Sequence, residues 1–357
     1  MNTSKIIDSI GLTFDDVLLL PNYTEIKRDE IDLATNLTPD IKLQLPFLSS
    51  PMDTVTASPM AIALGKLGGL GVLHRNMSIE SQAFEVRKTK KELTVCAAAV
   101  GVGNDLSDRT KKLVSAGVDI LVIDSAHGFS KWVIEATEFI CSKYKNITLV
   151  AGSVATSAGA KALIAAGADV LRVGMGPGSI CTTRIVAGIG VPQVTAILDT
   201  VAVAKSCGVS VIADGGLRSS GDIVKAISCG AASVMSGSLF AGTLEAPGKV
   251  ITKNGIKYKS YRGMGSVAAM RQGSAARYGQ NYRKGKNNKL VAEGIEGLVP
   301  YRGTVEDVVT QLAGGLRSGM YYTGVKNIME LQDNTRLMRV TQASLLESQP
   351  HDIIINN

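Results

Sequence analysis

The sequence repeats one short pattern eight times: a β-branched apolar run, then Gly, Ser or Asp, then a segment with helical periodicity. The apolar runs lie at 46–49, 69–74, 95–101, 120–124, 147–152, 170–174, 209–214 and 233–237. Alternating strands and helices indicate parallel strands joined by right-handed crossovers. Eight such units within about 200 residues favour an α/β fold of the closed (β/α)8 TIM-barrel type over an open doubly wound sheet.

The predicted helices end at glycine. Gly117, Gly167 and Gly230 each follow a segment of helical periodicity and come shortly before the next apolar run. Glycine adopts the left-handed conformation of a helix C-cap at little cost. We therefore interpret these glycines as structural residues of a barrel and not as functional ones.

Composition excludes several classes of protein. Of the 357 residues, 45% are hydrophobic and 19% are charged, which is typical of a folded globular chain. No run of about 18 apolar residues predicts a membrane span, and the N-terminal segment lacks the apolar core of a signal peptide. The five cysteines are odd in number and scattered, so we expect a reducing, cytoplasmic setting without disulfides.

The charge balance suits an anionic ligand. Lys and Arg number 38 against 31 Asp and Glu, and a net charge of +7 does not by itself indicate nucleic-acid binding. Residues 271–292 contain no acidic residue, and we expect them to form a mobile excursion that buries no core. The basic residues of this segment are Arg271, Arg277, Arg283, Lys284, Lys286 and Lys289. After a late barrel strand, such an insertion would lie over the catalytic face as a lid.

The densest motif is GMGPGSICTTR (174–184), which follows the sixth apolar run. Its closely spaced glycines let backbone groups approach a ligand, and Ser179 adds a hydroxyl suited to phosphate. Cys181 stands in this polar loop beside Arg184, where a thiol could ionise and act as a covalent nucleophile. The other cysteines fall within strand or helix patterns and are interpreted as packing residues. They are Cys96, Cys141, Cys207 and Cys229.

Further candidates follow the seventh and eighth runs. Asp214 precedes Gly215 and Gly216, and Gly237 with Ser238 follows the eighth run. Loops at these two places commonly bind phosphate in TIM barrels. Asp214 could accept hydrogen bonds from two vicinal ribose hydroxyls, or it could act as a helix N-cap.

The fourth run ends in Asp124 and Ser125, and a carboxylate in that place suits a second ribose. His127 is interpreted as a polar loop residue rather than a base. His74 and His351 lack any partner pattern, and no histidine stands near Cys181 in the sequence to serve as its base.

Several motifs together resemble the family of inosine-5′-monophosphate (IMP) dehydrogenases. They are GMGPGSICTTRIVAGIGVPQ (174–193), LTFDDVLLLP (12–21), SSPMDTVT (49–56), VIDSAHG (122–128), IADGGLRSSGD (212–222), YRGMGSVAAM (261–270), EGIEGLVPYRG (293–303) and ESQPHD (347–352). The resemblance extends nearly end to end, and the cysteine-loop string is highly specific. It implies one catalytic (β/α)8 domain over 1–357 with a flap at about 250–300. The pair of CBS domains that the family usually inserts is absent near 88–95.

The resemblance also implies a reaction, the NAD-dependent oxidation of IMP to xanthosine 5′-monophosphate (XMP) in guanine nucleotide biosynthesis. Cys181 would attack C2 of IMP, hydride would pass to NAD, and a thioimidate-linked XMP would remain. A mobile flap would then fill the nicotinamide site while water hydrolyses the adduct. Arg277 would activate that water with Tyr278 as its partner, and Thr183 with Glu293 would offer a second proton route.

Ligand contacts follow from the same resemblance. The substrate-binding residues would be Ser50, Met52, Ser179, Asp214, Gly216, Gly237, Ser238, Tyr261, Gly263, Met264, Gly265 and Glu293. The NAD-binding residues would be Asp124, Ser125, Gly174, Gly176 and Thr183. A potassium site would be formed by Gly176, Gly178 and Cys181 with Glu347, Ser348 and Gln349 of a neighbouring subunit in a homotetramer.

Two positions depart from the family pattern. Gly152-Ser153 stands where the family usually has Gly-Asn, so an amide contact near the cofactor would be lost. Gln349 stands in the tail where the family usually has His.

Three rival functions remain at this stage. GMP reductase, which deaminates GMP with NADPH, shares the barrel, the nucleophile loop and the Thr/Glu pair, but it needs no Arg-Tyr flap. Arg277 and Tyr278 therefore favour the dehydrogenase. The others are a nucleotide- or nucleic-acid-binding protein that uses the basic face without catalysis, and an FMN-dependent barrel oxidase.

Overall fold

A computed structural model describes residues 5–280, 282, 289–350 and 352. Its strands are β1 (Val17–Leu19), β2 (Thr35–Thr38), β3 (Ile41–Leu43), β4 (Phe47–Ser49), β5 (Leu70–Leu73), β6 (Ala97–Val100), β7 (Ile120–Ile123), β8 (Thr148–Val154), β9 (Val170–Val173), β10 (Ser210–Asp214), β11 (Ser233–Ser236), β12 (Ile251–Lys253), β13 (Ile256–Arg262), β14 (Glu296–Pro300) and β15 (Leu337–Arg339).

The α-helices are α1 (Ser58–Lys66), α2 (Ile79–Lys90), α3 (Leu106–Ser115), α4 (Lys131–Lys143), α5 (Ser157–Ala165), α6 (Thr183–Val186), α7 (Gln193–Ala204), α8 (Ser220–Ser228), α9 (Ser238–Ala241), α10 (Val267–Arg271), α11 (Val305–Thr323), α12 (Ile328–Asp333) and α13 (Gln342–Glu347). Short 3-10 helices lie at Phe14–Asp16, Arg28–Glu30, Lys205–Cys207 and Ser274–Tyr278. Among the described helices, none combines the length and apolar character needed to cross a membrane.

Eight parallel strands, β4 to β11, close into a barrel in the order β10-β11-β4-β5-β6-β7-β8-β9. Each of the eight apolar runs overlaps one of these strands, so the predicted TIM barrel is confirmed and the open sheet is wrong. The closed parallel arrangement brings all eight C-terminal strand ends to one rim. In barrels of this class that rim holds the functional residues.

The barrel interior is closed at the opposite end by the antiparallel hairpin β2–β3. Leu37 of this hairpin is fully buried and packs with interior residues such as Val72 and Ile212. The Thr35 hydroxyl donates to the carbonyl of Ala232, just before β11 begins, over 2.8 Å. The apolar interior is therefore covered at the N-terminal ends of the strands, and ligands have access from the other rim.

The predicted helix ends are confirmed. Gly117, Gly167 and Gly230 follow α3, α5 and α8 with positive φ angles of 92°, 99° and 103°. The helix α8 also begins as its sequence indicates, because Ser219 and Asp222 form a reciprocal capping box. These local signals set the positions at which each helix turns back towards the next strand.

After the last barrel strand the chain forms a three-stranded antiparallel sheet, β12-β13-β14. The 3-10 helix Ser274–Tyr278 lies in this excursion, and its Ser274 and Ala275 are buried. The prediction that 271–292 buries nothing is therefore wrong for 274–278. Part of the basic segment, including Arg283, Lys284 and Lys286, lies outside the described residues, as does His351.

All five cysteines are free thiols. Cys96 and Cys229 are buried as predicted, and burial raises the pKa of each thiol to about 12. Cys141 is half-buried and donates to the carbonyl of Gly167. Cys207 is exposed, so its interpretation as a packing residue is wrong.

The adjacent glycines of α11 give a matched test of this packing. A Cβ on Gly315 would lie 2.3 Å from Cβ of Ser220 in α8, whereas a Cβ on Gly314 would have no neighbour within 4 Å. Gly315→Ala should lower the free energy of unfolding by about 1–3 kcal/mol through overpacking. Gly314→Ala should raise it by about 0.5–1 kcal/mol, because alanine favours the helix. Thermal melts of the two variants should shift in opposite directions, and a shift in the same direction would contradict the α8–α11 contact.

Candidate active site

The candidate site is a cleft at the rim where the barrel strands end. It encloses about 910 Å³, part of it open to solvent. Its walls come from the loops after β4, β9, β10 and β11 and from the excursion that contains β13. Concave sites at this rim are where ligands bind in TIM barrels.

Most of the predicted site residues line this cleft. The predicted catalytic residues in its walls are Cys181, Thr183, Arg277, Tyr278 and Glu293. The predicted ligand-binding residues in its walls are Ser50, Met52, Gly174, Gly176, Gly178, Ser179, Asp214, Gly216, Gly237, Ser238, Tyr261, Gly263 and Met264. The predicted residues outside its walls are Asp124, Ser125, Gly265, Glu347, Ser348 and Gln349.

Cys181 begins a hydrogen-bonded chain of three side chains. Its Sγ lies 3.3 Å from Oγ1 of Thr183, and the Thr183 hydroxyl donates to Oε2 of Glu293 over 2.8 Å. A thiol proton could therefore pass through the hydroxyl to the carboxylate. Loss of that proton generates the thiolate, which is the nucleophilic form. This chain offers the base that no histidine near Cys181 provides.

The backbone of the Cys181 loop pairs with the segment that contains Glu293. Cys181 and Gly294 form an antiparallel bridge. The flanking backbone hydrogen bonds, each 3.0 Å, run from Thr182 N to Glu293 O, from Ile295 N to Ile180 O and from Glu293 N to Gly265 O. Thiol and carboxylate are thus held in one unit although their segments are far apart in the sequence. Gly265 contributes to this unit through its carbonyl.

Arg184 does not hydrogen-bond to the thiol. Its guanidinium donates to the carbonyl of Met175 (3.2 and 3.3 Å) and to that of Val191 (2.6 Å). Carbonyl oxygens are better acceptors for a guanidinium than a neutral thiol is. Arg184 therefore holds the shape of the loop, and the hydrogen-bond partner of Cys181 is Thr183.

Hydroxyl groups and glycines line the part of the cleft formed by the loops after β10 and β11. Tyr261 is buried and hydrogen-bonds with Ser179, and burial raises the pKa of its phenol, so the group stays a neutral donor. A Cβ on Gly237 would lie 2.5 Å from the Tyr261 hydroxyl, so a larger residue would fill this space. Gly216 and Ser238 also line this part of the cleft. Neutral donors and glycine backbone at this place suit a phosphate.

Asp214 lies at the end of β10 and accepts a hydrogen bond from Ser50. Its Oδ2 is 3.3 Å from Nη1 of Arg172. Burial raises the pKa of the Asp214 carboxyl, and the charge of Arg172 opposes that rise. The alternative role as N-cap is wrong, because Ser219 caps α8. A carboxylate in the cleft wall can accept hydrogen bonds from vicinal hydroxyls of a ligand.

Asp124 is buried and is surrounded by three guanidinium groups. Its Oδ1 is 3.1 Å from Nη2 of Arg172 and also contacts Nη1 of Arg277, while its Oδ2 is 3.7 Å from Nε of Arg75. Ser125 is buried as well, and its carbonyl accepts from Arg172. In this conformation, therefore, the carboxylate that the resemblance assigns to a cofactor ribose is in contact with arginines.

Arg172 and Arg75 were not among the predicted site residues. Arg172 lies in the otherwise apolar strand β9 with 1% of its side chain exposed. A charged residue in a buried strand needs a partner, so its place within Val170–Val173 was a usable signal. Arg75 follows β5 in a polar stretch and gave no comparable signal.

Arg277 and Tyr278 reach the cleft on the 3-10 helix Ser274–Tyr278. Ala126 N donates to the Arg277 carbonyl over 3.4 Å, which joins this helix to the loop after β7. Burial lowers the pKa of the Arg277 guanidinium, and Tyr278 opposes that change. A guanidinium removed from water loses its proton more readily than an exposed one.

A second contact holds the same excursion to the barrel. Arg262, at the end of β13, forms two hydrogen bonds with Asp53 at 3.0 and 2.6 Å, and Asn76 donates to Asp53 over 2.6 Å. His74 accepts from Asn76 N through Nδ1, and burial lowers the pKa of its imidazole. His74 thus has a structural partner, while His127 is exposed as expected of a loop residue.

The predicted tail residues lie apart from the cleft. Glu347 ends α13, and Ser348 and Gln349 follow it on the surface. Among the described residues, no group of three or more His, Cys, Asp or Glu side chains is arranged to hold a metal ion. A site made of backbone carbonyls would need no such group, so the potassium site stays a prediction.

The comparisons with known proteins agree with this site. A family model described as "IMP dehydrogenase / GMP reductase domain" matches residues 11–351. An inosine-5′-monophosphate dehydrogenase of Borreliella burgdorferi is 47% identical over 393 aligned positions, which cover 96% of this chain and 97% of that protein. Proteins of the same name from Aquifex aeolicus and Streptococcus pyogenes are 40% and 39% identical, and each alignment covers 97% of this chain and 96% of the relative.

The alignments also show where this chain differs in length. Those with the Aquifex and Streptococcus proteins extend over 474 and 475 positions, whereas this chain has 357 residues. Those relatives therefore contain a substantial insertion that is absent here, consistent with the absence of the CBS pair. In this chain α2 is joined to β6 by residues 91–96 alone.

Proposed function

The chain belongs to the IMP dehydrogenase / GMP reductase family, and from that premise we propose that it oxidises IMP to XMP with NAD as the second substrate. The reaction has two stages, oxidation of a cysteine-bound purine and hydrolysis of the product from the cysteine. Each stage uses a different part of the cleft described above.

The observation that carries this proposal is the contact of Arg277 with Asp124. The resemblance assigns Asp124 to the NAD ribose and Arg277 to the activation of water. One carboxylate cannot serve both at once, so the contact supports a cycle in which the dinucleotide leaves before the Arg277 segment closes. A reductase that needs no hydrolytic step has no use for such an exchange.

The first stage depends on Cys181. The phosphate of IMP would be held by Ser179, Gly216, Gly237, Ser238 and Tyr261. Asp214 would bind the ribose hydroxyls, which places the purine over the thiol. Cys181 loses its proton through Thr183 to Glu293, and the sulfur forms a bond to C2. The hydrogen of C2 would leave as a hydride, with both electrons of the C–H bond, and NAD would be its acceptor. The purine is thereby oxidised while it stays bound to sulfur.

The second stage depends on Arg277. With the segment closed, Arg277 in its neutral guanidine form can take a proton from a water molecule that attacks C2, and Tyr278 orients the guanidine. The new C–O bond replaces the C–S bond, XMP leaves, and the Cys181 sulfur regains a proton. Thr183 and Glu293 form a second path for the proton of the attacking water. Closure excludes other water while the adduct is cleaved.

A potassium ion would stabilise the loop that contains the nucleophile. The carbonyls of Gly176, Gly178 and Cys181 in this glycine-rich loop would supply ligands, since carbonyl oxygens bind potassium in proteins. The remaining ligands would be Glu347, Ser348 and Gln349 of a neighbouring subunit. Their exposure on α13 and beyond leaves them accessible to another copy.

This potassium site requires a second subunit, and the family resemblance implies a homotetramer in which each tail reaches a neighbour's loop. The mass of the assembly in solution tests that arrangement, and a monomer with full activity would contradict it. We assign the enzyme to the cytoplasm, because all five cysteines are free and the Cys181 chemistry requires a reduced thiol.

The direct test is an assay of NADH formation from IMP and NAD, with GMP and NADPH in a parallel reaction. We expect NADH from IMP, faster in potassium than in sodium chloride. Cys181→Ala should lower the rate by roughly a thousandfold or more, because the nucleophile is lost. Cys207→Ala removes an exposed thiol and should leave the rate unchanged. NADPH consumption with GMP and no reaction of IMP would establish the reductase instead.

Arg277→Ala should separate the two stages. We expect a rapid first release of NADH close to that of the unchanged protein, followed by steady turnover reduced by about 100- to 10,000-fold, because only hydrolysis loses its base. Stopped-flow absorbance measures both phases. Arg271→Ala removes an exposed arginine of the same excursion and should alter neither phase. Equal slowing of both phases by Arg277→Ala would contradict this division of roles.

A further inference from the structure

Arg75 is a buried arginine to which nothing above assigns a role in the reaction. It follows β5, and 12% of its side chain is exposed. Its Nη2 donates to the backbone carbonyl of Asp124 over 3.4 Å, and its Nε lies 3.7 Å from Oδ2 of the same residue. Gly101 makes room for it, because a Cβ there would lie 2.9 Å from Nη1 of Arg75.

Arg75 adds positive charge beside the Asp124 carboxylate that Arg277 contacts. Before Arg277 is counted, the single carboxylate of Asp124 already faces the guanidinium groups of Arg172 and Arg75. Arg172 also pairs with Asp214, whereas among the described residues Arg75 has no second carboxylate at salt-bridge distance. Asp105, whose charge opposes the lowering of the Arg75 pKa, pairs with Arg109 at 2.7 Å.

The unpaired nitrogen atoms fit this account. The Nε atoms of Arg75, Arg172 and Arg277 are all buried without a hydrogen-bond partner. Three guanidinium groups thus share the carboxylates of Asp124 and Asp214, and they leave donors unsatisfied. An arrangement with excess positive charge destabilises each protonated guanidinium in it.

We propose that Arg75 is a positioning residue for hydrolysis: it shares the Asp124 carboxylate with Arg277, so that its positive charge weakens the ion pair between Asp124 and protonated Arg277 in the closed site. This inference rests on the proposed function. Burial lowers the pKa of Arg75 to about 10, and its charge lowers the pKa of Arg277 in turn.

The other charged and titratable groups around Arg277 are fixed by the same fold. Asp124 and, through it, Arg172 face Arg277 from the barrel. Tyr278 adjoins it on its own helix and raises its pKa, and Cys181 and Glu293 interact in turn with Tyr278. None of these residues is itself replaced in an Arg75 variant, so variants that keep or remove the charge at position 75 report on that charge.

The test compares Arg75→Gln with Arg75→Lys in the complete chain. Arg75→Gln removes the positive charge, so Asp124 should bind protonated Arg277 more tightly. We expect the pH profile of steady turnover to move upward by about one unit, with about a tenfold loss at a fixed pH below the plateau. The first release of NADH should stay within about twofold, and higher pH should recover the loss. Arg75→Lys keeps the positive charge, so its pH profile should match that of the unchanged protein.

Other results would overturn the proposal. These are an unshifted profile in Arg75→Gln, a loss that higher pH does not recover, or a lysine variant that behaves like the glutamine variant. Arg75→Met fills similar space without charge and replaces Arg75→Gln if that variant does not fold. If the unchanged protein forms no NADH from IMP and NAD, the proposed function fails instead, and the two failures are thereby distinguished.

Discussion

The backbone pairing between the Cys181 loop and the segment around Glu293 is the interaction on which the site depends. It joins the barrel to the excursion that follows the last barrel strand, because Gly294 bridges Cys181 and Thr182 N donates to Glu293 O. The Thr183 hydroxyl can link thiol and carboxylate only while this pairing holds them in reach. A loose loop would leave the thiol without its proton acceptor.

The excursion is also joined to the barrel by charge. Arg262 binds Asp53 near one wall of the cleft, and Arg277 binds Asp124 beside another. The first contact joins two groups that the proposed ligands do not use, whereas the second uses a carboxylate assigned to the dinucleotide. We therefore expect the Arg262 contact to persist and the Arg277 contact to break when the dinucleotide binds.

The sequence predicted the barrel because eight apolar runs with intervening helical periods admit few other folds, and the glycines that follow α3, α5 and α8 were readable from the local sequence alone. The cysteine loop was readable because its residue types are chemically unusual together. The position of Arg75 and the distance between Thr183 and Glu293 could not be predicted from the sequence, because both depend on which loops meet at the rim. The burial of Ala275 was also missed, because the basic residues around it masked a short apolar contact.

The central claim is that the sulfur of Cys181 bonds to the purine during turnover. Its most direct test is mass spectrometry of the acid-quenched protein after mixing with IMP and NAD, followed by peptide mapping. The account predicts a covalent purine nucleotide on the peptide that contains Cys181, in larger amount when Arg277 is replaced by alanine. Continued NADH formation with that peptide unmodified at every quench time would contradict it.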